Sequence, residues 1–215
     1  GQIINASHVE NFPGFESIAG FEFAEALYNQ AIKMGAEIVY DKVTGLQDYG
    51  SHKGVQTEYG GELLAKAVIL ATGARVRPLG LENEDRFIGS GVSYCATCDG
   101  AFFKDKNVAV VGGGNTALDD ALVLSFTSKK VYLIHRSDTF SGEKRLLEKL
   151  QEHDNVVFIL DSEITAINGS ERLESLGIRN KVSGEEQTLD VDAVFIAIGH
   201  VPDNKAFASL VELDA

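Results

Sequence analysis

The run N-V-A-V-V-G-G-G-N-T-A at residues 107–117 decides the fold of this 215-residue chain. Its first five residues have the composition of a buried strand, and a G-x-G-x-x-A turn follows at once. The next stretch, to about residue 126, places apolar side chains at helical spacing, and residues 131–134 form a second predicted strand. A strand, a glycine-rich turn, a helix and a strand in this order predict a dinucleotide-binding unit with a parallel sheet.

Each small residue of the turn has its own predicted role. Gly112 permits the tight turn, Gly114 lets the backbone approach a pyrophosphate, and Ala117 lets the helix pack closely on the strand. The helix N-terminus offers unpaired N–H groups and the positive end of a dipole to phosphate groups. The turn therefore predicts where the pyrophosphate of a dinucleotide binds.

The end of the second predicted strand indicates which dinucleotide binds. An NAD site usually places Asp or Glu there to hold the ribose hydroxyls, whereas this strand ends in His135-Arg136-Ser137. A carboxylate would repel a 2′-phosphate and Arg136 could pair with one, so the sequence favours NADP. A solvated strand end is the alternative interpretation of His135 and Arg136.

Both cysteines of the chain, Cys95 and Cys98, are separated by two residues, and Asp99 follows them directly. This spacing allows a disulfide to open and close within one turn, and the neighbouring carboxylate could give a proton to a departing thiolate. Half of a zinc site and a pair of buried structural cysteines are the alternatives, although no second Cys pair exists.

Charge and composition exclude several classes of function. A net charge of −13 counts against nucleic acid and anionic membranes as partners. No apolar run reaches the length of a membrane span, no signal peptide is recognised, and two cysteines in 215 residues are typical of a cytoplasmic protein. The 22 glycines and the β-branched runs favour an α/β fold.

The two halves of the chain share one predicted plan, an antiparallel meander and then a buried strand that ends in Gly. In the first half these elements are residues 43–65 and 67–73, after a predicted helix at 20–34 and a predicted strand at 37–40. In the second half they are residues 163–189 and 192–199, after a predicted helix at 143–153 and a predicted strand at 156–160. The repeat predicts an α/β protein with two dinucleotide-binding, Rossmann-like domains of three layers. We place the domains at 1–78 and 79–203, with residues 204–215 starting a return to the first domain.

Seven motifs then identify a resemblance that covers nearly the whole chain. They are G-Q-I-I at 1–4, V-E-N-F-P-G-F at 9–15, I-L-A-T-G at 69–73, Y-C-A-T-C-D-G at 94–100, V-V-G-G-G-N-T-A at 110–117, H-R-S at 135–137 and A-I-G-H-V-P-D-N at 197–204. In this order they resemble the low-molecular-weight bacterial thioredoxin reductases. The resemblance implies a homodimeric, two-domain flavoprotein that uses FAD and NADPH and reduces thioredoxin or a thioredoxin-like protein.

The resemblance also implies roles for particular residues. Cys98 would lie next to the flavin, Cys95 would attack the thioredoxin disulfide, and Asp99 would protonate the leaving thiolate or the flavin–thiol adduct; no metal ligand is implied. The implied FAD contacts are Gln2, Asn11, Thr72 and Gly73. The implied NADPH contacts are Gly112, Gly114, Asn115, Thr116, Ala117, His135 and Arg136.

The chain departs from the family pattern in two ways. The family usually has H-R-R-x-x-x-R where this chain has Ser137 and Ser141 at the second and third Arg positions. Weak NADPH binding, or another electron donor such as ferredoxin, is therefore an alternative hypothesis. The family's FAD-binding G-x-G-x-x-G and its later Asp-containing segment have no counterpart in these 215 residues. We therefore also expect an internal fragment with an incomplete FAD domain, inactive as a reductase and binding only a dinucleotide.

Overall fold

A computed structural model describes residues 1–6, 8–204 and 207–212 of the chain. Its contacts divide the chain into two compact units, one of Gly1–Gly73 with Pro202–Ala215 and the other of Ala74–Val201. Our domain boundaries at 78 and 203 concern where each cofactor domain ends, and they stay predictions. Residues 205, 206 and 213–215 of the predicted return segment lie outside the described residues.

Among its described residues, the unit of residues 1–73 and 202–215 contains a short 3₁₀ helix (Gln2–Asn5), an α-helix and an antiparallel sheet. Helix α1 (Gly20–Lys33) begins directly after the bridge that pairs Val9 with Ile18. Strands β1 (Val43–Asp48), β2 (Lys53–Thr57) and β3 (Gly61–Ala65) pair antiparallel in sequence order. The predicted helix and the predicted meander of the first half are thus confirmed.

Two predicted strands of this unit are absent from the structure. Residues 37–40 and 67–73 adopt no regular secondary structure, and Tyr40 and Ile69 are 83% and 91% exposed. Their apolar composition predicted strands, but a strand exists only where a neighbouring strand pairs with its N–H and C=O groups. Neither segment has such a neighbour among the described residues, so both strand predictions are wrong for this structure.

The unit of residues 74–201 contains most of the regular structure. In chain order its helices and strands are β4 (Ala74–Val76), β5 (Val92–Ser93), α2 (Ala96–Asp99), β6 (Asn107–Val111), α3 (Asn115–Ser125), β7 (Lys130–Ile134), α4 (Lys144–Gln151), β8 (Val156–Ile159), β9 (Ser162–Gly169), β10 (Leu173–Asn180), β11 (Glu186–Asp190), β12 (Ala193–Ile196) and β13 (His200–Pro202). The last residue of β13, Pro202, already belongs to the other unit. Strands β4 and β13 form a two-stranded pair where the chain crosses between the units. No helix among the described residues is long and apolar enough to span a membrane.

A five-stranded parallel sheet lies at the centre of this unit. Its order is β5-β12-β6-β7-β8, and each neighbouring pair is parallel. Strand β6 has two neighbours in the sheet. One is β7, the next strand along the chain, and the other is β12, which comes much later in the chain. Such a reversal of strand order opens a crevice at the carboxyl ends of the strands, where ligands bind in open α/β sheets.

The central sheet is buried on both faces. Val108 and Val110 of β6 face α3 and α4, and with Phe195 of β12 they are fully buried in one core. Ala109 and Val111 face the antiparallel sheet of β9, β10 and β11 in a second core. Two covered faces explain why β6 and β12 are continuous apolar runs rather than alternating ones. The predicted α/β class and the three layers are confirmed in this unit.

Candidate functional site

The glycine-rich turn between β6 and α3 is shaped by contacts that exclude larger side chains. Gly112 has φ +148°, and a Cβ there would lie 2.3 Å from the backbone oxygen of Ala197 and 2.8 Å from the Cβ of Ala117. A Cβ at Gly113 would lie within 2.4 Å of three atoms of the His135 ring. The backbone therefore passes between β12 and the end of β7 along a path that only glycine permits.

Gly114 lies in open space instead. The nearest atom to a Cβ built there is Oγ of Ser141, at 3.9 Å. Helix α3 begins at the next residue, and Gly114 at its N-cap provides no side chain to occupy the first N–H groups. Unpaired N–H groups and the positive end of the helix dipole therefore face this space, which suits a phosphate group.

A cavity of about 560 Å³ opens at this point of the unit. Its lining comes from the carboxyl ends of the central strands and from the β4 side of the unit. It consists of Arg77, Leu79, Val111, Gly112, Gly113, Gly114, Thr116, Ile134, His135, Arg136, Ser141, Ser162, Glu163, Ile164, Ala197, Ile198 and Gly199. The structure thus brings five predicted dinucleotide contacts to one cavity, namely Gly112, Gly114, Thr116, His135 and Arg136.

Asn115 and Ala117, the other two predicted contacts, do not line the cavity. The side-chain oxygen of Asn115 accepts a hydrogen bond from the backbone N–H of Glu143 at 2.7 Å. Its side-chain amide donates to the Glu143 carboxylate at 3.4 Å. Ala117 is fully buried under the turn and packs against the sheet. In this structure Asn115 joins α3 to the start of α4, and Ala117 gives close packing.

His135 is held in one orientation at the end of β7. Its Nε2 lies 3.0 Å from the backbone oxygen of Thr139, and because a carbonyl only accepts, Nε2 carries the proton. The ring stacks on Phe140 with centroids 5.1 Å apart. Burial lowers the pKa of His135; the Thr139 hydrogen bond opposes this and the Arg136 charge adds to it. A neutral ring at pH 7 therefore offers shape and stacking to a ligand, not charge.

The loop after His135 replaces the expected guanidinium groups with small hydroxyls. The Ser141 hydroxyl donates to the backbone oxygen of Gly113 at 3.1 Å, and the Ser141 N–H donates to the same oxygen at 2.9 Å. Ser137 contributes its backbone oxygen, which accepts from Asp161 N–H at 3.3 Å. The loop is thus fastened to the glycine-rich turn, and Arg136 is exposed at the cavity wall.

Arg77 is a candidate binding residue that the sequence analysis missed. It is exposed and lines the cavity, and its backbone N–H donates to the Gly199 oxygen at 2.9 Å. Within the described part of the chain neither Arg77 nor Arg136 forms a salt bridge. The sequence around Arg77 is rich in Gly and Pro and resembles a linker, so it gave no signal that this residue faces a cavity.

Cys95 and Cys98 form a disulfide at the start of α2. Cys95 is the N-cap residue, and its Sγ accepts a hydrogen bond from the Cys98 N–H at 3.2 Å. Cys95 is half-buried and Cys98 is exposed. An N–H group directed at a sulfur is an arrangement that favours a thiolate at that sulfur.

Asp99 is tied to the disulfide through a residue that the sequence analysis also missed. The hydroxyl of Ser93 donates to Oδ2 of Asp99 at 2.7 Å and accepts from the Cys95 N–H at 3.1 Å. Ser93 is buried in β5, and it precedes the cysteine motif as an ordinary small polar residue. Nothing in its spacing distinguished it from other serines of the chain.

A buried carboxylate fixes the segment before the dithiol. Glu84 is 2% exposed and accepts from the N–H groups of Leu79 and Gly80 and from the hydroxyl of Tyr94, at 2.9, 2.7 and 2.7 Å. Burial raises the pKa of Tyr94, and the hydrogen bond to Glu84 raises it further, so the phenol stays protonated. The residue next to Cys95 is thereby anchored in the interior.

The implied FAD contacts lie in the other unit. Gln2 belongs to a short 3₁₀ helix and Asn11 to the loop closed by the Val9–Ile18 bridge; both are exposed. Thr72 and Gly73 lie on the irregular segment after β3, and both are exposed as well. None of these four residues lines the cavity of the 74–201 unit. Their flavin roles stay predictions.

Asp120 of α3 contacts the first turn of α2. Asp120 is half-buried on α3, and its carboxylate accepts a hydrogen bond from Ala96 N–H in the first turn of α2. Burial raises the pKa of Asp120 to about 6, the Ala96 hydrogen bond opposes the rise, and the Asp119 charge adds to it. No group of three or more His, Cys, Asp or Glu that could hold a metal occurs in the part of the chain that the structure describes.

Comparison with known proteins gives one consistent result. The family model for pyridine nucleotide-disulphide oxidoreductases matches residues 1–215. A thioredoxin reductase from Streptomyces coelicolor is 43% identical over 215 residues, which are 100% of this chain and 67% of that protein. A bifunctional thioredoxin reductase/thioredoxin from Mycobacterium leprae is 40% identical, and the chain spans 47% of its length.

The solved structures agree with the sequence relatives. The crystal structure of Lactococcus lactis thioredoxin reductase is 33% identical with a TM-score of 0.80, covering 98% of this chain and 69% of that one. The thioredoxin reductase of T. acidophilum is 30% identical with a TM-score of 0.75, covering 96% of this chain and 67% of that one. The chain thus spans about two thirds of the length of these reductases.

The raised pKa of Asp120 predicts how stability depends on pH. The folded protein keeps this proton to about pH 6, whereas an unfolded chain releases it near pH 4. Stability therefore falls as pH rises between these values and stays lower above them. Asp120→Asn keeps an oxygen for Ala96 N–H and should stabilise the unit by about 1–2 kcal/mol at pH 8, after allowance for solvent screening.

Urea unfolding from pH 4 to 8 measures this effect. The advantage of Asp120→Asn over the wild type should shrink as the pH falls towards 4. Asp119→Asn, at the exposed neighbouring carboxylate, is the matched control and should change stability by less than about 0.5 kcal/mol. An Asp120→Asn variant that is less stable at pH 8, or whose advantage is the same at every pH, would contradict the burial of the Asp120 charge.

Proposed function

Since this chain belongs to the pyridine nucleotide-disulphide oxidoreductase family, among its thioredoxin reductases, we propose that its Cys95–Cys98 pair passes electrons to a protein disulfide. The family uses FAD and NADPH. The observation that supports this proposal most directly is the Cys95–Cys98 disulfide at the start of α2, where Cys95 Sγ accepts the Cys98 N–H. The same unit contains the glycine-rich turn proposed to bind phosphate. The chain spans 67% of the Streptomyces enzyme, so the activity is proposed for the protein that contains it.

The exchange follows from the chemistry of the two thiols. The Cys95 thiolate attacks one sulfur of the substrate disulfide, and a mixed disulfide forms as the first substrate thiolate departs. The Cys98 thiolate then attacks the Cys95 sulfur and releases the second substrate thiolate. Two electrons pass to the substrate, the Cys95–Cys98 disulfide is restored, and each departing thiolate takes up a proton.

Asp99 is the proposed proton donor in this exchange. Its carboxyl lies in the residue after Cys98, and its Oδ2 accepts from the Ser93 hydroxyl, which also accepts from the Cys95 N–H. A proton that leaves a Cys thiol can rest on this carboxylate and return to a departing substrate thiolate. General acid catalysis of this kind is typically worth about 10²–10⁴-fold in rate.

The cavity of the 74–201 unit fits the diphosphate of NADPH. A Cβ built at Gly114 has Ser141 Oγ, at 3.9 Å, as its nearest atom, and the first N–H groups of α3 lie beside this position without a side-chain cap. Arg136, and Arg77 from another side, place positive charge on a wall that otherwise contains one acid, Glu163. That acid is paired with Arg179. Gly112, Gly114, Thr116, His135 and Arg136 would contact the cofactor directly, with Asn115 and Ala117 shaping the turn.

FAD is proposed to contact Gln2, Asn11, Thr72 and Gly73 of the other unit. When bound, it would supply the Cys95–Cys98 disulfide with electrons taken from NADPH. The residues support this role by their motifs, and Gly73, at φ +73°, keeps its backbone free of a side chain. The residues of this chain would position the disulfide, and Asp99 would exchange protons with its thiols.

The partner is proposed from the names of the relatives, and the assembly and location are proposed from the family resemblance. We propose thioredoxin or a thioredoxin-like protein as the substrate, because the relatives are named thioredoxin reductases and one is a bifunctional thioredoxin reductase/thioredoxin. A homodimeric, cytoplasmic enzyme is proposed from the resemblance. The net charge of −13 counts against nucleic acid and anionic membrane partners.

Ser137 and Ser141 support a second candidate, a flavin-dependent reductase fed by a donor other than NADPH, such as ferredoxin. The Ser141 hydroxyl donates its hydrogen bond to the Gly113 carbonyl, and the Ser137 side chain carries no positive charge to pair with a phosphate. Each missing guanidinium removes a charge-assisted contact worth about 1.5–3 kcal/mol. The cavity would then still accept a dinucleotide, but with weak recognition of the 2′-phosphate.

The first functional prediction concerns the nucleophile. Cys95→Ser in the complete protein should abolish thioredoxin reduction, because no thiolate then attacks the substrate disulfide. The rate of thioredoxin reduction, monitored through the consumption of NADPH, measures this loss. Ser125→Ala, which removes a hydroxyl that bonds the Leu122 oxygen of its own helix, is the control and should keep most of the activity. Thioredoxin reduction that survives in Cys95→Ser would show that the roles are wrongly assigned.

The second prediction concerns the electron donor. Replacing Ser137 and Ser141 by Arg should lower the KM for NADPH by about tenfold or more, because each regained pair is worth at least the 1.4 kcal/mol of a tenfold change. The KM for NADH should stay the same, since NADH lacks the 2′-phosphate. The Ser137→Gln and Ser141→Gln pair controls for side-chain length.

Stopped-flow reduction of the flavin by each nucleotide decides between the two donors. Rapid reduction of the wild-type flavin by micromolar NADPH would rule out the alternative donor. An equal gain for NADPH and NADH in the Arg variant would show that the two positions do not face the 2′-phosphate.

A further inference from the structure

We propose that Ser93 is a positioning residue for the dithiol chemistry, holding the Asp99 carboxylate in place for proton exchange with the Cys95–Cys98 pair. The inference rests on the proposed function, because it assumes that the pair exchanges disulfides. It goes beyond that function by naming a residue outside the cysteine motif on which the proton step depends.

The hydrogen bonds of Ser93 have only one consistent direction. Cys95 N–H donates to Ser93 Oγ at 3.1 Å, and the single hydroxyl proton is directed to Asp99 Oδ2 at 2.7 Å. The Cys95 backbone oxygen lies farther away, at 3.4 Å from the same hydroxyl. Since a hydroxyl has one proton, it serves the nearer and charged acceptor. A continuous chain thus runs from the Cys95 backbone through Ser93 to the Asp99 carboxylate.

Ser93 lies in the buried central sheet, whereas Asp99 lies partly exposed at the end of a short helix. Ser93 is 5% exposed and pairs in parallel register with Phe195 of β12, which is fully buried in the centre of the sheet. Asp99 is half-buried at the end of the four-residue α2. A short charged side chain at the end of such a helix would otherwise turn towards water. The Ser93 hydroxyl therefore transfers the rigidity of the central sheet to the carboxylate.

The burial of Ser93 also indicates that its hydroxyl has a specific role in the dithiol segment. A buried hydroxyl requires partners, and an apolar residue at this strand position would need none. Both partners of Ser93 belong to the dithiol segment, one at Cys95 and the other at Asp99. Ser125, equally buried at 6% exposure, instead bonds the Leu122 oxygen of its own helix at 2.7 Å. Ser125 is thus a buried serine with a local structural role only.

The proton balance shows which step depends on this position. When Cys95 attacks, its proton passes to the Asp99 carboxylate, and the Asp99 carboxyl returns a proton to the departing substrate thiolate. No electrons pass through Ser93 or Asp99. Loss of the Ser93 hydroxyl leaves both sulfurs and the carboxyl in the protein, but frees the carboxyl to move away. The rate of exchange should therefore fall, whereas binding of the substrate protein should not.

The test uses the complete flavoprotein with four variants, Ser93→Ala, Ser93→Thr, Asp99→Asn and the Ser93→Ala/Asp99→Asn double variant. Ser93→Ala should lower kcat for thioredoxin reduction about tenfold with little change in KM. Ser93→Thr keeps the hydroxyl at a strand position that tolerates β-branching, and should restore most of the rate. Ser125→Ala controls for loss of a buried hydroxyl, and thermal unfolding of every variant checks the fold.

The double variant separates positioning from a merely structural role. If Ser93 acts through Asp99, the double variant should be no slower than the Asp99→Asn single variant. The effects of the two substitutions on kcat are then not additive. Full activity of Ser93→Ala, or effects that multiply in the double variant, would overturn the proposal.

A thiol measurement keeps this proposal distinct from the proposed function. A wild-type protein that reduces no thioredoxin would overturn the function. In the dithiothreitol-reduced protein, Ser93→Ala and Asp99→Asn should both shift the pH profile of Cys95 alkylation by iodoacetamide to lower pH, because each takes the Asp99 charge away from the thiolate. An unchanged pH profile in Ser93→Ala would overturn the role of Ser93 whatever the substrate is.

Discussion

The close approach of the Gly112 backbone to Ala197 is the constraint on which the rest of the structure depends. A Cβ at Gly112 would lie 2.3 Å from the Ala197 oxygen, so β6 can turn into α3 beside β12 only because this residue is glycine. The turn lies where the strand order reverses, between neighbours that are far apart in the chain. It therefore fixes the position of the α3 N-terminus at the carboxyl edge of the sheet, and with it the cavity.

Helix α3 connects this cavity to the dithiol within one unit. Its N-terminus borders the cavity, and its later turns pack against α2, which carries Cys98 and Asp99. The contact is close because small residues form it, and a Cβ at Gly100 would already lie 2.9 Å from Leu124. Strand β5 fixes the other side of the dithiol through Ser93 and its register with β12. The redox pair is thus held between a helix and the central sheet.

The sequence predicted the features that depend on local pattern. The β6–α3–β7 unit, the meanders and the redox pair follow from glycine spacing, apolar runs and two cysteines, and the structure contains them. The strands predicted at 37–40 and 67–73 are absent, because an apolar run does not show whether a neighbouring strand pairs with it. Arg77 and Ser93 were missed for a related reason, since contacts across the fold place them. Asn115 was predicted at the phosphates, yet its side chain bonds Glu143.

An anaerobic titration of the complete flavoprotein with NADPH, with free thiols counted at each step, tests the central claim most directly. If the Cys95–Cys98 disulfide is the redox centre of this unit, the flavin and the disulfide each accept two electrons. Full reduction should then consume two equivalents of NADPH per flavin and expose both cysteines of the chain as thiols. Reduction that ends after one equivalent, with the flavin reduced and no thiol released, would contradict the account.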